Sequence, residues 1–531
     1  MPAIISDQFR ILNAENFVKS VTGVADTSNT YYTFIGLPNA LSLDAGGSPT
    51  WATITPPPLD GFKEESQIKE SIIAMQQISS DSVRRLVRKV TWVAGNTYEM
   101  YRHDYSVYNP TPVTGQTGLY ECNYYVVNED FRVYVCLNNG TDPENPKGRP
   151  SYDQPTFVDL EPRAAGTSGD GYIWKYLYTI KPSEIIKFDS IDYIPVPNDW
   201  GVSGESISLK NNAIDGKIEV VLVDNRGSNY QPLSTSFSNV PILGDGTGGK
   251  ATITIDSFGK VSEVFVTDGG KDYTFGTIQF YPGAPGSELN GVISKLNNTG
   301  IGSTSQAQFK VIIPPKGGHG YNIYRELGAF RVLLYSRYAT DAQNPDIILS
   351  NDFARVGIMR NPTIQGSNSQ LLNISVVSGL PGIKLSGVTT NTTYALDSKI
   401  TQNVGFGSTA IGFVASWDPV TGVLKYYQTA GAASSATGYK IVPFTSNPDV
   451  GYGLTINCSS IVGPALSINT NFNGISTTIN NTSYSLGLNF SAGISSAEYN
   501  KKSGDIIYID NRVPIPRSAS QKEDIKIVLE F

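Results

Sequence analysis

Three times along one stretch of this chain a glycine turn closes on a tyrosine: Asn225-Arg226-Gly227-Ser228-Asn229-Tyr230, Asp268-Gly269-Gly270-Lys271-Asp272-Tyr273 and Lys316-Gly317-Gly318-His319-Gly320-Tyr321. The tyrosines stand 43 and 48 residues apart, a spacing that marks repeated structural units. The first two copies follow alternating runs, Ile218 to Val223 and Val261 to Val266, and Gly248-Gly249 leads into another, Ala251 to Ile255. Alternation of period two sends one face of a strand inward and the other to solvent, so runs joined by glycine turns form small β-meanders. The third copy keeps the turn but is followed by a different sequence, and it marks the seam back to the main body of the chain.

Charge thins out further along. From Gly366 to Phe490, 125 residues carry seven charged side chains, Lys384, Asp397, Lys399, Asp418, Lys425, Lys440 and Asp449, in a chain that is 16% charged overall. This shift marks a separate domain with one clear hairpin, Ile411 to Trp417, the turn Asp418-Pro419-Val420-Thr421-Gly422, then Val423 to Gln428. With 52 Gly, 31 Pro and 30 Tyr among 531 residues, turns and strands are favoured over helix throughout.

Helix candidates lie in the first hundred residues. Ser6 and Asp7 can cap a segment with Ile5, Phe9, Leu12, Phe17 and Val21, and a second candidate runs from Glu64 to Gln77 with Ile68, Ile72 and Met75 on one face. Strand-like runs are Tyr31 to Ile35, Val87 to Val93, Tyr124 to Leu137 with a break at Asn128-Glu129-Asp130, and Tyr172 to Ile180; Pro56-Pro57-Pro58 and Asn139-Gly140 punctuate them. The fold class expected is mainly β (α+β), with a largely antiparallel sheet.

Candidate chemistry is sparse. Gly244 to Ala251 nearly matches the phosphate loop G-x-x-x-x-G-K-[ST], but Ala251 lacks the hydroxyl for magnesium and a strand follows where a helix is required, so a glycine β-turn is expected. Two histidines, His103 and His319, and no G-x-S-x-G elbow leave nucleophilic catalysis short of bases; both are read as packed, surface or turn residues, with His319 open to exposure between its glycines. Glu161, Asp170, Glu184 and Asp189 are available for a glycosidase pair, with nothing in their spacing to single them out. The run Arg84-Arg85-x-x-Arg88-Lys89 reads as a solvated face beside a strand. No catalytic, cofactor or metal residues are therefore assigned, and no D-x-D-x-D-G loop is present.

A net charge of -7 gives no electrostatic footprint for nucleic acid. Cys122, Cys136 and Cys458 form neither a C-x-x-C pair nor an even set, which fits free thiols in a reducing compartment. The N-terminus lacks a basic n-region and apolar h-region, and no run approaches the roughly 18 apolar residues of a membrane span, so neither a cleaved signal nor a membrane partner is expected.

Gly169-Asp170-Gly171-Tyr172-Ile173-Trp174-Lys175-Tyr176-Leu177-Tyr178-Thr179-Ile180 resembles a segment of the baseplate wedge protein of T-even-like contractile-tailed phages, the gene-eight-product family. Ser503 to Ile515, holding Asn511-Arg512-Val513-Pro514, and Glu523 to Phe531 resemble that family's terminal strands and intervening turn. Weaker likenesses at Phe9-Arg10, Asn16-Phe17, Thr33 to Gly36, Val133 to Leu137 and Phe353 to Pro362 occur in the family's order. The repeats and the Trp417-Asp418-Pro419 hairpin resemble modules of structural proteins from marine cyanobacterial myoviruses.

The resemblance implies a β-sandwich core with helix-bearing loops, built from residues 1–205, 318–365 and 491–531, and two inserted small β domains, 206–317 and 366–490. It implies a non-enzymatic homodimer in the virion tail baseplate, assembled in the host cytoplasm, that contacts other wedge subunits and transmits baseplate rearrangement on host contact. Gly169, Gly171, Trp174, Asn511, Arg512 and Pro514 are the motif residues, expected to keep the fold or touch partners. The competing expectation is a trimeric tail fibre or adhesin whose insertions contact host glycans through Tyr and Trp faces. A polysaccharide-degrading tail enzyme is a third.

Overall fold

The computed structural model describes residues 5–23, 29–37, 61–202, 204–281, 306–339, 353–389, 391–405, 407–428, 441–515 and 522–531. The chain is 41% strand and 11% helix, with antiparallel sheets throughout, which makes it the mainly β, α+β protein that its turn-rich composition calls for. Two compact units divide it: residues 1–18, 84–333 and 528–531 form one, and 19–83 and 334–527 the other. The Pro56-Pro57-Pro58 loop lies outside the described residues.

In the first unit, Tyr125–Val127, Arg132–Asn139 and Tyr172–Thr179 form a three-stranded antiparallel sheet. The expected break at Asn128-Glu129-Asp130 separates the first two strands, and Phe131, with a φ of 58°, completes the turn. This sheet carries the unit's largest apolar cluster, in which Tyr98, Tyr124, Tyr134, Tyr172, Trp174, Tyr176 and Tyr178 are all buried. The run Val87 to Val93 is displaced: the strand is Val83–Arg88, and it pairs with Tyr193–Val196.

The repeat region belongs to the same unit and has a core of its own, centred on Phe237, Val240, Ile253, Val261 and Phe280. Lys250–Ile255 is the middle strand of three, flanked by Val261–Asp268 and Thr235–Pro241. The repeat tyrosines explain the motif. Tyr230 donates its hydroxyl to Phe280 O at 3.1 Å and accepts from Ala307 N at 2.8 Å, while Tyr273 donates to Ile242 O at 2.9 Å and accepts from Gly249 N at 3.1 Å. The glycines of the near-phosphate loop make room for that ring. A Cβ on Gly246 would lie 2.4 Å from Tyr273 Cγ, and one on Gly249 2.8 Å from its hydroxyl. The third copy departs from the pattern, since Tyr321 is 45% exposed and His319 is the buried side chain.

The second unit holds a five-stranded antiparallel sheet in the order Val376–Ser378, Ile72–Gln77, Tyr31–Gly36, Phe353–Arg360, Asp505–Ile515. It also holds a closed barrel of Gly382–Ser386, Val423–Tyr427, Ser408–Asp418, Lys399–Gly405, Thr455–Cys458 and Leu466–Ile468, the first strand pairing with both the second and the last. Ile383, Leu385, Ile400, Val414, Leu424, Ile456 and Leu466 join one cluster with Tyr394, whose hydroxyl bridges Ile456 O and Leu466 N. The expected hairpin forms two neighbouring strands of this barrel, its turn tied by Asp418 accepting from Val420 N and the Thr421 hydroxyl.

Two helical expectations are corrected. The first helix, Asp7–Thr22, buries Ile11, Ala14, Val18 and Val21 and exposes Phe9 and Leu12, because positions 11, 14, 18 and 21 keep one helical face and the steps through 9, 12 and 17 do not. The Glu64 to Gln77 segment is helix only over Phe62–Glu70; Ile72–Gln77 is a strand with its first four residues buried. The spacing of Ile68, Ile72 and Met75 fits a helix face, but a β-branched pair at 72 and 73 flanked by sheet partners on both sides goes to strand.

Replacing Tyr230 or Tyr273 by Phe leaves a buried carbonyl and N–H unanswered, so each variant is expected to lose about 1–3 kcal/mol, against under about 0.5 kcal/mol for Tyr321→Phe; thermal unfolding of the three compares them. Burial pushes the Tyr32 and Tyr134 phenols up to about 12. Folded values above the unfolded value of about 10 mean stability that is complete below pH 10 and lost as pH rises toward 12. An alkaline titration should therefore show tyrosinate absorbance rising together with loss of β-sheet circular dichroism.

Candidate functional site

The motif strand Tyr172–Thr179 enters from Gly169-Asp170-Gly171, whose glycines have φ of 71° and 87°. Asp170 accepts from Tyr152 N at 2.9 Å and Tyr172 N at 3.0 Å, and a Cβ on Gly171 would come within 2.8 Å of Gly140 Cα, so side chains are excluded there by both space and backbone angle. Trp174 stacks on Tyr172 with centroids 5.3 Å apart, and Tyr98 meets both rings edge-on. Trp174 is fully buried, and its Nε1 has no hydrogen-bond partner, which makes the indole a packing group.

The opposite face of this strand carries Lys175, 3% exposed, with Nζ donating to Leu160 O at 2.8 Å. Burial pushes its ammonium down, opposed by Glu219, Glu326 and Glu161. His319 Nδ1 lies 2.7 Å from Glu326 Oε1, and Gly320 N donates to Glu326 Oε2 at 2.7 Å. Tyr101 meets the imidazole edge-on at 4.7 Å, and the Tyr124 hydroxyl donates to Glu326 O. The exposure open to His319 is overturned for a steric reason. Gly318 packs so closely that a Cβ would sit 2.3 Å from Ile214 O, and this close approach carries the imidazole inward.

A histidine, a carboxylate, a lysine and a tyrosine together are the ingredients of acid–base catalysis, and sequence spacing did not unite them. Their signal was the Gly317-Gly318-His319-Gly320 run with Glu326 one short helix away; that helix, Ile323–Glu326, begins at Asn322, whose side chain accepts from Arg325 N. The ingredients lack access, however. The crevice between Tyr101, Leu137, Glu219, Val220, Ile312 and His319 has no room for a water molecule, so this cluster is a polar clamp inside the core.

The proposed carboxylate candidates are likewise committed. Glu184 pairs with Arg84 and Asp189 with Lys89, each at 2.8 Å, Glu161 pairs with Lys217 at 3.0 Å, and Asp170 caps its turn. The basic run is not a solvated face: besides those two ion pairs, Arg85 is 5% exposed and lies over the Tyr324 ring at 3.1 Å from its centroid. The thiols of Cys122 and Cys136 are buried and pushed up by burial, away from reactivity.

Asn511, Arg512 and Pro514 lie in the second unit on Asp505–Ile515, the last strand of the five-stranded sheet. Asn511 stands opposite Arg355 in the ladder, and exposed Arg512 bonds Asp510 at 2.8 Å; the Pro514 side chain is outside the described residues. Arg355 is 5% exposed, donates to the Ser71 hydroxyl at 3.0 Å, and is pushed down to about 10 by burial.

Among the described residues there is no cluster of three or more His, Cys, Asp or Glu placed to hold a metal, and no helix is long and apolar enough to cross a membrane. No protein-family model matches the chain, and no curated protein matches it significantly.

His103 supplies a pH test of the first unit. Its Nδ1 accepts from Ile313 N at 3.1 Å, and the ring is held below the ordinary histidine value by burial, with Arg102 and Lys310 acting the same way and Asp104 opposing. A lowered folded value means its contribution is complete above the unfolded value of about 6.5 and is lost as pH falls through the folded one. Thermal midpoints are expected to drop between pH 6.5 and 5, before carboxylates protonate in the unfolded chain, and the drop should shrink in His103→Gln.

Proposed function

We propose that this chain is a structural subunit of a contractile phage tail baseplate wedge, joining other wedge subunits as a homodimer in the virion and carrying the rearrangement that follows host contact. The observation that carries the reading is the sealing of the His319, Glu326 and Lys175 cluster inside the first unit's core. His319, Glu326 and Lys175 have no substrate space beside them, and the four carboxylates considered for hydrolysis are tied in ion pairs or a turn. A protein arranged in this way acts through its surfaces. Two of the segments that resemble the wedge family hold the long strands Tyr172–Thr179 and Asp505–Ile515, each the kind of rigid element on which interfaces are mounted. Rigid-body movement of such a subunit would transmit a change between neighbours without internal rearrangement.

A second reading, a glycan-binding fibre or adhesin, is favoured by one observation: Phe258, Phe265 and Phe275 of the repeat region are exposed, aromatic surface of the kind that sugar rings stack on. Light scattering on a sizing column separates the two. A mass twice that of the 57.4 kDa chain is expected for the wedge subunit, whereas three times that mass would transfer support to the fibre.

A further inference from the structure

Within the basic run, Arg88 stands apart from its neighbours. Its Nη2 donates to Cys122 O and Asn123 Oδ1, both at 2.9 Å and both neutral, and its Nε has no partner. A guanidinium has five N–H donors; two are used here and the Tyr125 hydroxyl lies beside the group, so part of its capacity remains, and among the described residues no carboxylate forms an ion pair with it. Arg88 lines a cavity of about 530 Å³ in the first unit, beyond the end of the strand Val83–Arg88. That volume falls within the range of small-molecule sites, about 300–1,000 Å³.

The other polar lining comes from Lys89, whose charge is already paired with Asp189 at 2.8 Å, and from Thr91, Asn96, Asn123 and Asp192, with Tyr193 offering a half-buried ring. Thr91, Asn96 and Asp192 are exposed, and Asn123 keeps its amide NH₂ free while its Oδ1 receives Arg88. This is an alternation of donors and acceptors around one uncompensated planar cation. Hydroxyl groups both donate and accept, so they match amide, hydroxyl and carboxylate neighbours together. A carboxylate matches the guanidinium edge. Asp192 disfavours a multiply charged anion such as phosphate, and an uncharged sugar leaves Arg88 unanswered.

We propose that this cavity is a binding site for a carboxylate-bearing sugar, with the acid group on Arg88, ring hydroxyls on Thr91, Asn96, Asn123 and Asp192, and the sugar face against Tyr193. The inference is independent of the wedge reading, since either a baseplate subunit or a fibre could carry such a site.

The probe is glucuronate, with glucose and acetate as its neutral and non-sugar counterparts, followed by saturation-transfer NMR and titration on the full chain. Saturable binding of glucuronate is expected, at least about tenfold tighter than either counterpart, as one charge-assisted hydrogen bond contributes. Arg88→Gln should weaken it about tenfold or more. Because Arg88 also ties the chain at Cys122, the rim variants Thr91→Ala and Asn96→Ala serve as the second arm; both residues are exposed, and each should weaken glucuronate several-fold with an unchanged thermal midpoint. Absence of saturable binding, binding as tight by acetate as by glucuronate, or rim variants that bind as the parent does would each overturn the proposal.

Discussion

The interaction on which most of this structure depends is a buried tyrosine hydroxyl donating to a backbone carbonyl. Tyr32 reaches Ile374 O, Tyr125 Arg88 O, Tyr134 Phe157 O, Tyr172 Arg149 O, Tyr178 Pro195 O, partly buried Tyr324 Pro197 O and Tyr499 Lys69 O, and the first two repeat tyrosines, Tyr230 and Tyr273, do the same. The acceptors at Arg149, Phe157, Pro197 and Ile374 belong to the irregular connections between strands. A β-rich chain with long connections must find partners for carbonyls that no ladder serves, because a buried orphan costs about 1–3 kcal/mol. Tyrosine does this while adding a large apolar ring to the core, and Leu or Phe in its place would fill the space but abandon the carbonyl. The abundance of tyrosine and the scarcity of charge are thus two sides of one arrangement, in which loops are fastened from within.

That arrangement determines how much could be read beforehand. Alternating strands with a glycine turn beside them were legible, as at Ala251 to Ile255, Val261 to Val266 and the Asp418-Gly422 hairpin, since periodicity and turn chemistry agree there. The ribbon Gly474–Ile479 with Thr482–Phe490 escaped notice, because Ser, Thr and Asn occupy nearly all of its outward positions and its turn is Asn480-Asn481, both at positive φ, with no glycine to mark it. The third repeat copy misled for the opposite reason. Its turn is preserved, but its tyrosine is not the residue that goes inside, and only the three-dimensional position of Glu326 reveals that His319 does.

The motif strand shows why candidate chemistry was harder still. Trp174 and Tyr172 announce themselves by size, and their burial follows from alternation along Tyr172–Thr179. Lys175, between Trp174 and Tyr176, lies on the other face, where alternation alone would have placed a solvent-exposed side chain, yet it is buried. Its partners come from segments about 15 to 150 residues away, namely Leu160 O directly and the charges of Glu219 and Glu326 at longer range. A buried lysine is tolerated only when such partners converge, and convergence is a property of topology. The same holds for Arg84, Arg88 and Lys89: one short run of sequence distributes its cations to an acid on either side and to a cavity, and no local pattern distinguishes the three fates.

Charge is then found where strand edges require it. The five-stranded sheet ends on Asp505–Ile515, which carries Asp505, Asp510 and Arg512, and at its other end on a strand of only three residues, Val376–Ser378. Charged or very short edges resist pairing with foreign strands. The barrel has no such edge, because Gly382–Ser386 closes onto Val423–Tyr427, and so the region that contains it can dispense with charge without presenting unpaired backbone. Of its three strand lysines, Lys384 and Lys425 are themselves buried, the first over the Phe472 ring, and only Lys399 is exposed. Closure of the sheet, and not exposure to a special environment, is therefore a sufficient physical reason for the low charge of this stretch. The uncharged ribbon at Gly474–Phe490 is the part that closure does not cover. A two-stranded ribbon twists more strongly than a wide sheet, which blunts its edges, and its base is held by Leu486, Leu488 and Phe490 packing with Val423 and Phe472.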